Sequence, residues 1–139
     1  MNTPESLTQG YFRACNERDF ALLDQVFAPG FVSHLRLGDV VGLPAFKALM
    51  VQFFEAFPDV HWTMQEGIYT ADRGVMRYSF RGTHKAPFLG MAPSGLTIDA
   101  EGCEVAHIVG DKIVEIWNYT DLMGLAAQLR YPDPLAVKL

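Results

Sequence analysis

Asp121 stands where one carboxylate could do acid/base work: it closes the alternating run Lys112–Thr120 and opens the apolar run Leu122–Leu129, which has helical spacing. In a strand of period two, Glu115, Trp117, Tyr119 and Asp121 share a face, which sets the acid beside two large rings. Scarce water there favours the neutral acid and raises its pKa, as a general base working near neutral pH requires. The same position suits a helix N-cap, a role for which Asp is preferred, and spacing alone leaves both readings open.

His107 is the best partner for Asp121, because its strand pairs with the Asp121 strand through the tight turn at Gly110–Asp111. Register raises a difficulty. If Val109 faces Lys112, then His107 faces Val114, on the opposite side of the sheet from Asp121. A bulge would let the two share a cavity, and Gly102 is a place for one but does not lie between them; without it, Glu104 and Ala106 face the cavity instead. Trp117, Tyr119 and Trp62 are the rings that would hold a flat hydrophobic substrate, with core packing as the alternative for each. His34, at the end of a short strand near the expected rim, could touch the substrate or lie in a surface loop.

Other chemistries find no support in the spacing. There is no phosphate-binding glycine loop, no serine elbow and no Cys or His pair at zinc spacing, and His34, His61, His84 and His107 are far apart in the chain. No metal or cofactor is therefore expected. His84, beside a Pro- and Gly-rich connection, reads as structural. Arg77 and Arg81 point to solvent if Met76, Tyr78 and Phe80 face inward.

The elements that must position these residues can be read from periodicity. Thr3 caps a first helix that runs from Pro4 to about Glu17, with Ser6 where a capping box would place Glu, and Asp19 caps a short second helix, Ala21–Phe27, which Pro29–Gly30 stops. A brief strand, 31–35, precedes a helix from Ala45 to Phe57 whose broad phenylalanine stripe should lie across a sheet. From Val60 the period changes to two, predicting long antiparallel strands at about 60–70, 74–85, 95–109 and 112–120. The result is one α+β domain, 1–139, in which N-terminal helices cover a curved antiparallel sheet. Bent into a cone, such a sheet leaves a cavity for a small ligand. The tail from Tyr131–Pro132–Asp133–Pro134 onward is expected to be extended and to reach a neighbouring subunit.

Composition narrows the partners. The 139 residues are half apolar and carry a formal charge of −5 with no basic run, which disfavours nucleic acid and acidic membrane surfaces and favours a small neutral or hydrophobic ligand. Cys15 and Cys103 lie in apolar periodic stretches and read as buried free thiols in a reducing compartment. Met1–Glu5 has no signal-peptide pattern and no apolar run approaches spanning length, so a cytoplasmic protein is expected.

Phe57–Val60, Arg81–His84, Phe88–Gly95, Lys112–Trp117 with Asp121 four residues later, and Gln128–Leu129 together resemble the SnoaL-like polyketide cyclases, or ester cyclases, of the nuclear transport factor 2 superfamily. The resemblance implies a cone-shaped α+β barrel, commonly a homodimer through the outer face of its sheet. It also implies cofactor-independent closure of a polyketide ring by intramolecular aldol condensation, with Asp121 as general acid/base. The chain departs from the family at His107, where Arg is frequent, at Gly110–Asp111, where Asp-Gly is frequent, and at Arg130, where Gly is frequent. An imidazole at 107 could protonate a developing alkoxide. Relatives of this fold include isomerases, dehydratases, epoxide hydrolases and oxygenation partners, and some carry no assigned activity, so a binding module remains an alternative.

Overall fold

The computed structural model describes residues 2–132, which puts the tail from Asp133 onward outside the described residues. Helix α1, Pro4–Glu17, starts at a reciprocal cap: Ser6 N–H donates to Thr3 Oγ1 at 3.1 Å and Thr3 N–H donates to Ser6 Oγ at 2.8 Å. Ser6 thus does what Glu does in a capping box. Asp19 caps α2, Phe20–Val26, by accepting from Leu22 N–H at 3.1 Å. The long helix α3, Leu43–Ala56, begins two residues before the predicted start, because Pro44 is accommodated in its first turn.

The sheet has six strands, one more than the brief strand at 31–35 and the four long antiparallel ones expected. Strands β1 (Phe27–Leu35), β2 (Gly38–Val41), β3 (His61–Tyr69), β4 (Arg73–Thr83), β5 (Thr97–Val109) and β6 (Lys112–Thr120) lie in the order β2-β1-β6-β5-β4-β3. The last four form the predicted meander. The correction concerns β1, which runs parallel to β6 while pairing antiparallel with β2, so the sheet is mixed, curved and unclosed. The expected stop at Pro29–Gly30 comes too late: α2 ends at Val26, Phe27 is already extended, and Pro29–Gly30 sits inside β1, where the register with β6 shifts between Phe27 and Val32. A shift of that kind tolerates a residue with no N–H to give.

The three N-terminal helices and α4, Leu122–Gln128, cover one face of the sheet. The inner row of β5 is Ile98, Ala100, Gly102, Glu104, Ala106 and Ile108, all buried, and the alternate residues point outward. On β4 the inner row is Gly74, Met76, Tyr78, Phe80 and Gly82. Arg77 and Arg81 lie outward as expected, near Glu66 and Asp99. Phe27, Phe31 and Phe57, all fully buried, anchor the core between helices and sheet. Cys15 is buried as predicted. Cys103 is not, because it belongs to the outer row of β5 and is half-buried there.

Two motifs brace the β3–β4 end. Asp59 accepts hydrogen bonds from Thr83 N–H and Thr83 Oγ1, both at 2.7 Å, which hold its carboxyl below the usual range. Asn16 of α1 closes a two-bond clamp on the Trp62 backbone, at 2.8 and 2.9 Å, and thereby sets the start of β3 against α1. No helix among the described residues is long and apolar enough to cross a membrane.

Candidate active site

Between α1, α3 and the inner face of the sheet lies a cavity of about 160 Å³ that opens to solvent. Its walls are apolar: Phe12 from α1, Phe46, Met50 and Phe53 from α3, Phe80 from β4, and Phe88 from the β4–β5 connection. Phe53 ties these walls together, with its ring 5.2 to 6.1 Å from those of Phe57, Trp62, Phe80 and Phe88. Space of this size, lined in this way, takes an aromatic ring.

One carboxyl group is buried in that wall. Glu104, 4 % exposed, projects from the inner row of β5 between Tyr11 of α1 and Asn118 of β6. Asn118 Nδ2 donates to Glu104 Oε2 at 3.1 Å and Tyr11 O–H donates to the same oxygen at 3.4 Å. Among the described residues Oε1 accepts no hydrogen bond from the protein. Burial drives the carboxyl pKa from 4.5 up to about 7, against the smaller opposing effects of the Asn118 and Tyr11 hydrogen bonds. A carboxyl so poised exchanges protons at neutral pH, which suits it for general acid/base chemistry.

The surrounding polar groups form one network. Asn118 Nδ2 also donates to Tyr78 Oη at 3.0 Å, and Thr120 Oγ1 donates to Asn118 Oδ1 at 2.7 Å. Tyr78 lies across Gly102, its register partner on β5, so closely that a Cβ at 102 would meet the phenol oxygen at 2.5 Å. Gly102 is therefore the vacancy that lets this ring fold over the sheet beside Glu104. Tyr11 and Tyr78 are both pushed well above the ordinary tyrosine pKa, first by burial and then by the neighbouring Glu104 charge, so each remains a hydroxyl.

The residues singled out from sequence divide between this site and the opposite face. Trp62 borders the cavity. Asp121 does not: it is exposed, accepts from Gly124 N–H at 2.9 Å as the N-cap of α4, and sits at the rim between Thr120 and Leu122, which do border the cavity. His107, Trp117, Tyr119 and His34 lie on the outer face. The bulge that would join His107 to the Asp121 side does exist, since Ile108 pairs with Ile113 and His107 with Glu115, leaving Val114 as the extra residue. It places His107 on the same side as Trp117, but that side is the outer one, because Ile116, Asn118 and Thr120 face inward.

On the outer face His34 is held between two carboxylates, with Nε2 at 2.6 Å from Glu115 and Nδ1 at 2.9 Å from Asp39, and its ring stacks on Trp117 at 5.3 Å. The Glu115 hydrogen bond first, and the Asp39 one next, raise its pKa. His34 thus fastens the edge hairpin to β6. His107 Nε2 is 3.9 Å from Asp72, at the far end of the sheet. His84 is structural, as the sequence suggests: it is fully buried, its Nδ1 faces Ser94 Oγ at 2.8 Å, and its ring stacks on Phe57. No grouping of three or more His, Cys, Asp or Glu side chains among the described residues could hold a metal ion.

Sequence reasoning named Glu104 only as an alternative and missed Tyr11, Tyr78, Asn118 and Thr120 as site residues. A signal was present. Glu104 interrupts a period-two row otherwise made of Ile98, Ala100, Gly102, Ala106 and Ile108, and a lone acid in such a row is a buried polar group that must have partners.

Comparison with known proteins adds the following. A family profile described as SnoaL-like polyketide cyclase matches residues 6–129. No curated protein matches the sequence. Among solved structures, IdmH from Streptomyces antibioticus, described as a candidate polyketide cyclase, is 27 % identical with a TM-score of 0.81, over 91 % of this chain and 98 % of its own. AclR from Streptomyces galilaeus, described as a candidate hydroxylase, is 24 % identical with a TM-score of 0.81, over 91 % and 95 %. A candidate SnoaL-like polyketide cyclase from Jannaschia sp. CCS1 is 21 % identical with a TM-score of 0.82, over 96 % and 97 %. The last two, at these identities, speak for the shared fold alone.

Proposed function

Since this chain belongs to the SnoaL-like polyketide cyclase family, we propose that it is a cofactor-independent acid/base enzyme that removes a proton alpha to a carbonyl and thereby closes a polyketide ring by an intramolecular aldol step. The observation that carries this reading is the buried Glu104 carboxyl, with a pKa of about 7 and one oxygen left without a donor among the described residues, in the wall of an apolar cavity. A carbon flanked by carbonyls is already acidic and its enolate is spread by conjugation, so orientation in a dry site and one tuned carboxylate suffice. Glu104 takes the place that the sequence offered to Asp121, and the apolar walls suit a flat hydrophobic polyketide.

The test needs only the proton-transfer half-reaction. With 2-tetralone in D2O, deuterium entry at the alpha carbons is followed by proton NMR, and the catalysed rate is expected to rise with pH through an apparent pKa near 7. A rate no faster than buffer, or a profile flat across that region, would end the proposal. The rim acid is judged in the same assay. Asn caps a helix as well as Asp, so Asp121→Asn is expected to keep activity within about threefold; a loss of about 10³ would transfer the acid/base role to Asp121.

The outer face has a role to match. Val75, Cys103, Val105 and Trp117 are half-buried there beside the exposed Tyr119, an apolar band suited to a second copy of the chain. A homodimer is expected by sedimentation at high micromolar concentration, and Trp117→Lys should sediment as a monomer. A monomeric wild type, or a dimeric variant, excludes this face.

A further inference from the structure

The direction of each proton in the Glu104 network identifies a second catalytic group. Glu104, as a carboxylate, can only accept, which turns the Asn118 NH2 toward the site and leaves the amide oxygen to accept from Thr120 Oγ1 at 2.7 Å. That NH2 then gives one proton to Glu104 Oε2 at 3.1 Å and the other to Tyr78 Oη at 3.0 Å. Tyr78 therefore receives a hydrogen bond on its oxygen and gives none: no described residue accepts the phenolic proton in hydrogen-bond geometry. Thr120 is a hydrogen-bonding neighbour of the phenol, though short of full hydrogen-bond geometry, and its own proton is committed to Asn118. The Tyr78 ring borders the cavity and is 4 % exposed, so the free O–H is left for whatever occupies that space.

Resting on the reading of Glu104 as the base, we propose that Tyr78 O–H is the oxyanion donor of the site and that Asn118, locked by Thr120, positions it and the Glu104 carboxylate as a pair. Glu104 Oε1 takes the alpha proton; the C–H electron pair becomes the new C=C bond and the carbonyl π pair moves onto oxygen. That oxygen, now negative, accepts the Tyr78 hydrogen bond, and no proton need leave the phenol. Glu104, then neutral, keeps its Asn118 contact through Oε2. The pair thus suits a substrate whose enolisable carbon is bonded directly to the carbonyl carbon. A hydrogen bond available in the transition state and not already satisfied by the protein is the kind that lowers the barrier.

The oxyanion can be imitated without turnover by 2-naphthol, whose neutral and ionised forms differ in absorbance and fluorescence. In Glu104→Gln, which imitates the protonated acid, bound 2-naphthol should ionise at a lower pH than free 2-naphthol. An apolar cavity without a donor would do the reverse. Adding Tyr78→Phe should weaken naphtholate binding about tenfold and abolish the shift. In the 2-tetralone assay Tyr78→Phe alone should lower kcat about 10² with KM within about threefold. Asn118→Leu should raise the kinetic pKa, because its lost N–H favoured the carboxylate.

Absence of 2-naphthol binding, an unchanged or raised pKa of the bound naphthol, or a Tyr78→Phe variant that binds naphtholate as before would each overturn the proposal. The naphthol shift in Glu104→Gln is read whether or not the Tyr78 variant folds. If Glu104→Gln still exchanges 2-tetralone, the base assignment fails. If it does not, and bound naphthol stays neutral, only the Tyr78 assignment fails.

Discussion

Glu104→Gln is expected to lower alpha-proton exchange by about 10²–10⁴ while leaving binding of a neutral ligand nearly unchanged. Gln has the shape of the protonated acid and can still accept from Asn118 and Tyr11, so the cavity should keep its volume and its walls. What disappears is the oxygen that can take a proton. A loss confined to kcat is the signature of a group acting in the chemical step; a loss confined to KM would reduce Glu104 to a binding contact. The residual rate should be independent of pH near 7, since the group responsible for the dependence is gone.

The same substitution should make the protein more stable at alkaline pH. The folded-state pKa of Glu104, about 7, lies above its ordinary value of 4.5, so between these two the folded chain holds a proton that the unfolded chain has released. Stability attributable to this group is complete below 4.5, declines as pH rises through that window, and reaches its full penalty above about 7. Integrated over the window, the penalty is roughly 3 kcal/mol. Urea unfolding of Glu104→Gln and wild type should agree near pH 4.5 and diverge by that order at pH 8, with the variant more stable. A constant difference across the range would mean that Glu104 titrates normally and is not the tuned acid. Lower activity with higher stability from one substitution is what a strained functional group predicts.

The helices, the meander and the helical cover were legible because they rest on local signals. Thr3, Asp19 and Pro44 mark helix starts, and the phenylalanine stripe of α3 announces the face that meets a sheet. The pairing of β1 with β6 was not legible, since parallel partners so distant in the chain share no turn. The site failed for a different reason. Alternation along β6 sets Trp117 and Tyr119 on one face with Asp121, and large rings normally point into a domain, whereas the cavity side of β6 presents Asn118 and Thr120. A site that does chemistry inverts the polarity rule on which the orientation of its strand is judged. Val114 compounds the difficulty, because a bulge resets alternation at a point no periodicity reveals.

The joining of β1 to β6 bears on how the molecule reaches its native state. Glu104, Asn118 and Tyr11 come from β5, β6 and α1, and the sixth strand has to slot between the fifth and the first before its neighbours can close around it. Contacts so far apart along the polypeptide impose a large loop-closure entropy and slow the crossing of the rate-limiting barrier. Refolding should therefore be unhurried, with the proton-transfer residues assembled in its late events, and a nascent chain still lacking its sixth strand would have helices and a meander but no floor beneath the ligand.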